Sequence, residues 1–137
     1  MNGRRIAGVL AAVAILLTGC SPTDPPAAAR VPQEGDVTVT PGPDGVQAVT
    51  LVTRNNFRYV PDRFTVMPGT VRLTVDNESG TVHDLHFDVS GMGKDVPPVR
   101  SGTTETVEFT VSKPGEFGFV CTFHEQFGQT GTMVVLP

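Results

Sequence analysis

FGFVCTFHEQFGQTG, Phe117 to Gly131, is the stretch on which the reading of the fold turns. Its first part alternates. Phe117, Phe119 and Cys121 lie on one side of an extended chain, because successive strand residues point to opposite faces. Two large apolar rings must face a core, so Cys121 points inward at the end of a strand. The second part drops the alternation and gathers an imidazole at His124 and an amide at Gln129 ahead of one more apolar run, Thr132 to Leu136.

The same period-two pattern extends outward from this segment. Val46 to Thr53, Phe64 to Met67, the VRLTVDN run from Val71 to Asn77, Val82 to Val89 and Thr104 to Val111 are rich in β-branched residues and read as strands. Pro68-Gly69, Asn-Glu-Ser-Gly at 77 to 80, Gly-Met-Gly at 91 to 93 and Lys-Pro-Gly at 113 to 115 punctuate them as turns. Ser90 to Gly102, with Pro97-Pro98 in it, reads as loop. Seven or eight short strands without a helical period predict an all-β, antiparallel Greek-key β-sandwich. In it His83, Leu85, Phe87 and Val89 share the buried face, while Asp84, His86 and Asp88 face out.

The front of the 137-residue chain is of another kind. MNGRRIAGVLAAVAILLTGC pairs two arginines with a small, apolar run too short to span a bilayer, which marks an export signal over residues 1–19. Leu17-Thr18-Gly19-Cys20 resembles the lipobox of bacterial lipoproteins, which implies that Cys20 becomes an acylated N-terminus anchored stably by more than one chain. An ordinary cleaved signal peptide is the alternative. Residues 20–36, Pro- and Ala-rich and without apolar periodicity, then form the lipidated N-terminus and a tether reaching at most about 50 Å. That leaves 37–137 as one domain, expected to be monomeric, and places the protein on the extracytoplasmic side of a bacterial membrane.

Without Arg4 and Arg5 the mature chain holds 8 basic against 14 acidic residues, a net of −6, which speaks against nucleic acid as a partner. Only two cysteines exist, and the anchor uses one. A lone Cys121 in an oxidising compartment should be buried, catalytic or held by a metal. A sandwich can bring the start of the His83 strand beside the end of the Cys121 strand, with His124 in the loop that follows. Two imidazoles and a thiolate with a weak fourth donor suit copper in both of its oxidation states. Structural zinc sites use more thiolates or locally paired histidines, and there is no second cysteine for them here.

VHDLHF and FVCTFHEQFGQTGTMVV resemble the two ligand-bearing segments of the cupredoxins, plastocyanin and amicyanin especially, over roughly Val52 to Leu136. The resemblance implies one type 1 copper ion held equatorially by His83, Cys121 and His124. Plastocyanin-like loops place a methionine five residues after the second histidine and a glycine two further on. This chain has Gln129 and Gly131 at those places. Gln129 is then the axial donor, as glutamine is in stellacyanin-like proteins, and its harder amide oxygen favours the cupric ion. The shorter amicyanin-type loop would bring Phe127 there, which cannot ligate, and Met92 and Met133 fit surface or core better than the site. Asp84 stands where the family usually has the asparagine that ties the two ligand loops together, which leaves the hydrogen bonding around the thiolate open. His86 reads as solvated. Phe123 and Phe127 flank His124 where the family passes electrons, or else they only pack the loop.

The function implied is electron transfer between exported or membrane-bound redox partners, a donor and an acceptor, and not enzymatic catalysis. A copper carrier or chaperone without redox turnover is the alternative, although exposed Met- or His-rich tracts that release metal are missing. A Cys121 nucleophile, with His83 or His124 as base, would need an oxyanion loop and an orienting acid, and beyond Asp84 the sequence offers neither.

Overall fold

The computed structural model describes residues 35–137; the signal segment, Cys20 and nearly all of the tether lie outside them. Ten strands are present among the described residues: β1 (Asp36–Thr38), β2 (Gln47–Thr53), β3 (Tyr59–Val60), β4 (Arg63–Val66), β5 (Gly69–Asn77), β6 (His83–Phe87), β7 (Val96–Val99), β8 (Thr104–Val111), β9 (Gly115–Val120) and β10 (Thr130–Val135). They form a sandwich of a six-stranded sheet in the order β1-β4-β10-β9-β6-β7 and a four-stranded sheet in the order β3-β2-β5-β8. No helix among the described residues is long and apolar enough to cross a membrane.

Alternation builds the core as expected. Val71, Leu73 and Val75 of β5 and Leu51 of the neighbouring β2 are fully buried, as are Phe64, Leu85, Phe119 and Met133 from the facing sheet. The central strands thus turn an apolar stripe inward, and packing of the two inner faces is the main stabilising term.

Four expectations need correction. The sheets are mixed and not purely antiparallel, since β2 runs parallel to β5 and β4 runs parallel to both β1 and β10. The chain changes sheet between β3 and β4 and again between β4 and β5, so strands that return to a neighbour do so in the same direction. Ser90 to Gly102 is not all loop. Val96 and Val99 are buried while Pro97 and Pro98 face out of β7, and prolines are tolerated there because β7 is an edge strand whose outer side needs no donors. Finally, the His83 strand stops at Phe87, so Val89 lies 48% exposed and does not extend the buried face. Asp36, assigned to the tether, is the first residue of β1.

The antiparallel pairing of β6 with β9, His86 opposite Val120 and Phe87 opposite Phe119, fixes the geometry of the functional pole. It brings the start of β6 level with the end of β9. β10 begins opposite the same end, Thr130 against Val120. His83, Cys121 and Gln129 therefore converge by register.

Candidate metal centre

Cys121 and Gln129 bracket a loop that its own backbone holds. Cys121 N donates to Gln129 O at 3.0 Å, His124 N to Cys121 O at 3.1 Å and Phe127 N to His124 O at 2.9 Å. Residues Glu125–Phe127 make one 3-10 turn, closed by Gly128 with φ +83°. A side chain at 128 would be strained by that φ and would meet the Arg58 guanidinium at 3.2 Å. Arg58 Nη1 donates to the carbonyls of Phe57 and Phe127, at 2.8 and 2.7 Å, and clips the loop to the chain ahead of β3.

Within this frame Cys121 Sγ lies 3.8 Å from His83 Nδ1 and 3.5 Å from His124 Nδ1, and the two nitrogens lie 3.2 Å apart. Donors about 2.0–2.3 Å from a shared ion stand at such separations. Cys121, His83 and Gln129 are fully buried, and His124 is partly exposed. Burial is the main cause holding the Cys121 thiol above its ordinary pKa, while backbone N–H groups of Asp84, Phe123 and His124 aimed at the sulfur pull the other way. Burial likewise pushes His83 below its ordinary value, against the pull of the Gln129 oxygen. An uncharged imidazole is a ligand ready to bind, and a thiol that resists ionisation gives up its proton to a bound cation.

Gln129 supplies the sharpest test of fit. Its Oε1 lies 2.8 Å from His83 Nδ1, and its buried Nε2 has no hydrogen-bond partner. Burying half an amide unsatisfied is unfavourable, and it is explicable where the other half faces a metal. The soft thiolate, the two imidazoles and the neutral oxygen form a donor set that fits copper.

The surroundings resolve what the sequence left open. The Asp84 carboxylate does bridge the two ligand segments: Oδ1 accepts from Thr122 N at 2.7 Å and Oδ2 from the Thr122 hydroxyl, while the Asp84 carbonyl accepts from the Tyr59 hydroxyl. His86 faces away from the site and pairs with Asp95 at 2.6 Å. Met133 is core, and Met92 packs partly buried against it. Phe123 and Phe127 are 43% and 53% exposed at the rim. Sequence reasoning missed Phe57, whose ring stacks on His124 at 4.5 Å and 26° and on Phe127 at 5.1 Å and 24°. It also missed Ser79, whose Oγ lies 2.7 Å from His83 Nε2. No local pattern marks either residue, since both act through contacts with residues distant in sequence or across a turn.

Comparison with known proteins agrees with this geometry. Residues 9–135 match the cupredoxin-like domain family. The minor chloroplastic plastocyanin isoform of Arabidopsis thaliana is 31% identical over 86 residues, 56% of this chain and 50% of that protein. The chain thus spans about half the length of the Arabidopsis plastocyanins it matches. Dithionite-reduced auracyanin of Roseiflexus castenholzii superposes with a TM-score of 0.55 at 21% identity, covering 66% of this chain and 97% of that one. A methionine-to-glutamine variant of amicyanin with Cu(I) gives 0.52 at 22% identity, covering 65% and 82%. With the sandwich, the converging His83, Cys121 and His124 and a family match over nearly the whole sequence, the chain belongs to the cupredoxins, whose cofactor is a single copper ion.

Proposed function

We propose that the protein is a type 1 copper electron carrier, exported and held at the extracytoplasmic face of a bacterial membrane by lipid on Cys20. It works as a monomer between a redox donor and an acceptor. The observation that carries this reading is the asymmetry of the donor set: Cys121, His83 and Gln129 are sealed inside, and His124 alone of the four is partly exposed, beside the rings of Phe57, Phe123 and Phe127.

Copper, when bound, supplies the one-electron couple. The protein supplies the rest. Cys121 and the two imidazoles satisfy both oxidation states without rearrangement. The loop hydrogen bonds and the Asp84 bridge hold them in one geometry, so little structural change accompanies the gain or loss of an electron. Three apolar rings around His124 exclude water where a partner would approach and give electrons a short path to its edge. Gln129 Oε1 is the fourth, harder donor, which favours Cu(II) and lowers the reduction potential. A carrier that hands over its ion needs reachable donors, whereas three of these four are buried.

The test is the optical and paramagnetic spectrum of the copper-loaded protein beside Cys121→Ser. An intense visible thiolate-to-copper band, reversibly bleached by reduction and lost in the serine variant, is expected. A colourless complex, or a thiol at Cys121 that stays free and reactive with copper bound, would refute the assignment.

A further inference from the structure

The nitrogen of His83 that faces away from Cys121 is held as closely as the one that faces it. Nε2 lies 2.7 Å from Ser79 Oγ and 3.3 Å from Thr81 Oγ1, in a buried environment. Ser79 belongs to a polar network centred on Asn77, which is itself fully buried. The orientation of the Asn77 amide is fixed, because Nδ2 lies 2.7 Å from Thr81 O and 2.9 Å from Val99 O, and carbonyls only accept. Oδ1 therefore accepts, from Ser79 N at 2.9 Å, Ser79 Oγ at 2.7 Å and Thr53 Oγ1 at 3.2 Å.

Ser79 Oγ has one proton, and its other close oxygen neighbour, Thr81 O at 3.1 Å, is also an acceptor. When that proton goes to either oxygen, the hydroxyl meets His83 as an acceptor. Nε2 must then carry the imidazole proton. Nδ1 is left with its lone pair turned toward Cys121 Sγ, His124 Nδ1 and Gln129 Oε1, atoms within 2.8–3.8 Å of it that could share a cation with it.

We propose that Ser79, oriented by Asn77, is the positioning residue that fixes the tautomer and ring direction of His83 for metal binding; the inference rests on the copper reading of this pole. The network crosses the sandwich. Thr53 and Asn77 end β2 and β5 in one sheet, while His83 and Val99 belong to β6 and β7 in the other. His83 is thus anchored through Ser79 to the body of the domain, while Cys121, His124 and Gln129 are held by their own loop, which Asp84 ties to β6. Outer partners of metal-bound histidines are worth about 10- to 100-fold in affinity.

The experiment uses the full-length copper-loaded protein. Nitrogen-15 NMR of the Cu(I) form should show His83 Nε2 protonated, with a slowly exchanging proton. In Ser79→Ala that proton should exchange fast, and Cu(II) affinity, measured by competition with a chelator, should fall about 10- to 100-fold. Ser79→Thr, which keeps the hydroxyl, should restore both. An unprotonated Nε2 in the unaltered protein would overturn the proposal even if Ser79→Ala failed to fold, as would Ser79→Ala with unchanged exchange and affinity. If the unaltered protein lacks the intense visible band, the copper reading falls and this inference with it; if the band is present and the NMR result is contrary, the inference falls alone.

Discussion

Gln129→Met should make the metal-free protein more stable and its copper form easier to reduce. Gln129 is fully buried with an unpartnered Nε2, a group whose burial is unfavourable by about 1–3 kcal/mol. Methionine is close in volume and carries no such group, so the exchange removes that term. What is lost is at most the contact of Oε1 with His83 Nδ1 at 2.8 Å, about 0.5–1.5 kcal/mol if a proton lies between them. The balance is a gain of about 1 kcal/mol, or roughly 4–8 °C in Tm for a domain of this size. The copper-loaded protein should respond in the opposite sense. A thioether binds Cu(II) less well than an amide oxygen relative to Cu(I), and each tenfold change in that preference raises the potential by about 59 mV for one electron. Thermal unfolding of chelated protein and voltammetry of the loaded protein measure the two effects separately. If the metal-free variant loses 1 kcal/mol or more, or the potential stays put or drops, Gln129 is a structural partner of His83 and not an axial donor.

Phe127→Ser should slow electron exchange with small redox mediators or between copies of the protein while leaving the visible band in place, because it opens the rim without touching a donor; an unchanged self-exchange rate would remove the rim from the path. Asp84→Ala should cost about 2 kcal/mol in unfolding free energy, since the Thr122 amide and hydroxyl both lose a charged acceptor. Asp84→Asn should fall well short of that, as its amide can still meet both groups; equal losses in denaturant titrations would contradict the bridging role. Cys20→Ala should move the expressed protein from the membrane fraction to the soluble one, and a variant that stays with the membrane would argue against a lipid anchor.

The inward aim of His83 and Cys121 was legible because a strand's period of two leaves only two choices of face, and Leu85, Phe117 and Phe119 settle which is buried. The placement of Gln129 was legible as a spacing from His124. Val89 was misplaced by the same rule, because alternation says which face a residue takes only while the strand lasts, and β6 ends two residues earlier. β7 was hidden by its prolines, which tell against a central strand but not against an edge. The parallel pairing of β2 with β5 was hidden more deeply: local pattern shows that a segment is extended, not which neighbour it returns to or in which direction.

Phe57 and Ser79 show where the limit falls for function. A residue that binds the metal must be one of a few chemical types, so it can be found by type and position. A residue that steadies a ligand can be almost anything with a ring or a hydroxyl, and its role exists only in the contact. Phe57 reaches His124 because a non-glycine residue at φ +55° turns the chain ahead of β3 over the ligand loop. Ser79 reads as one more turn residue after β5 until the fold returns His83 to it four positions later. The convergence of His83, Cys121 and His124 was therefore readable from the chain, whereas the scaffold around them is a property of the closed sandwich.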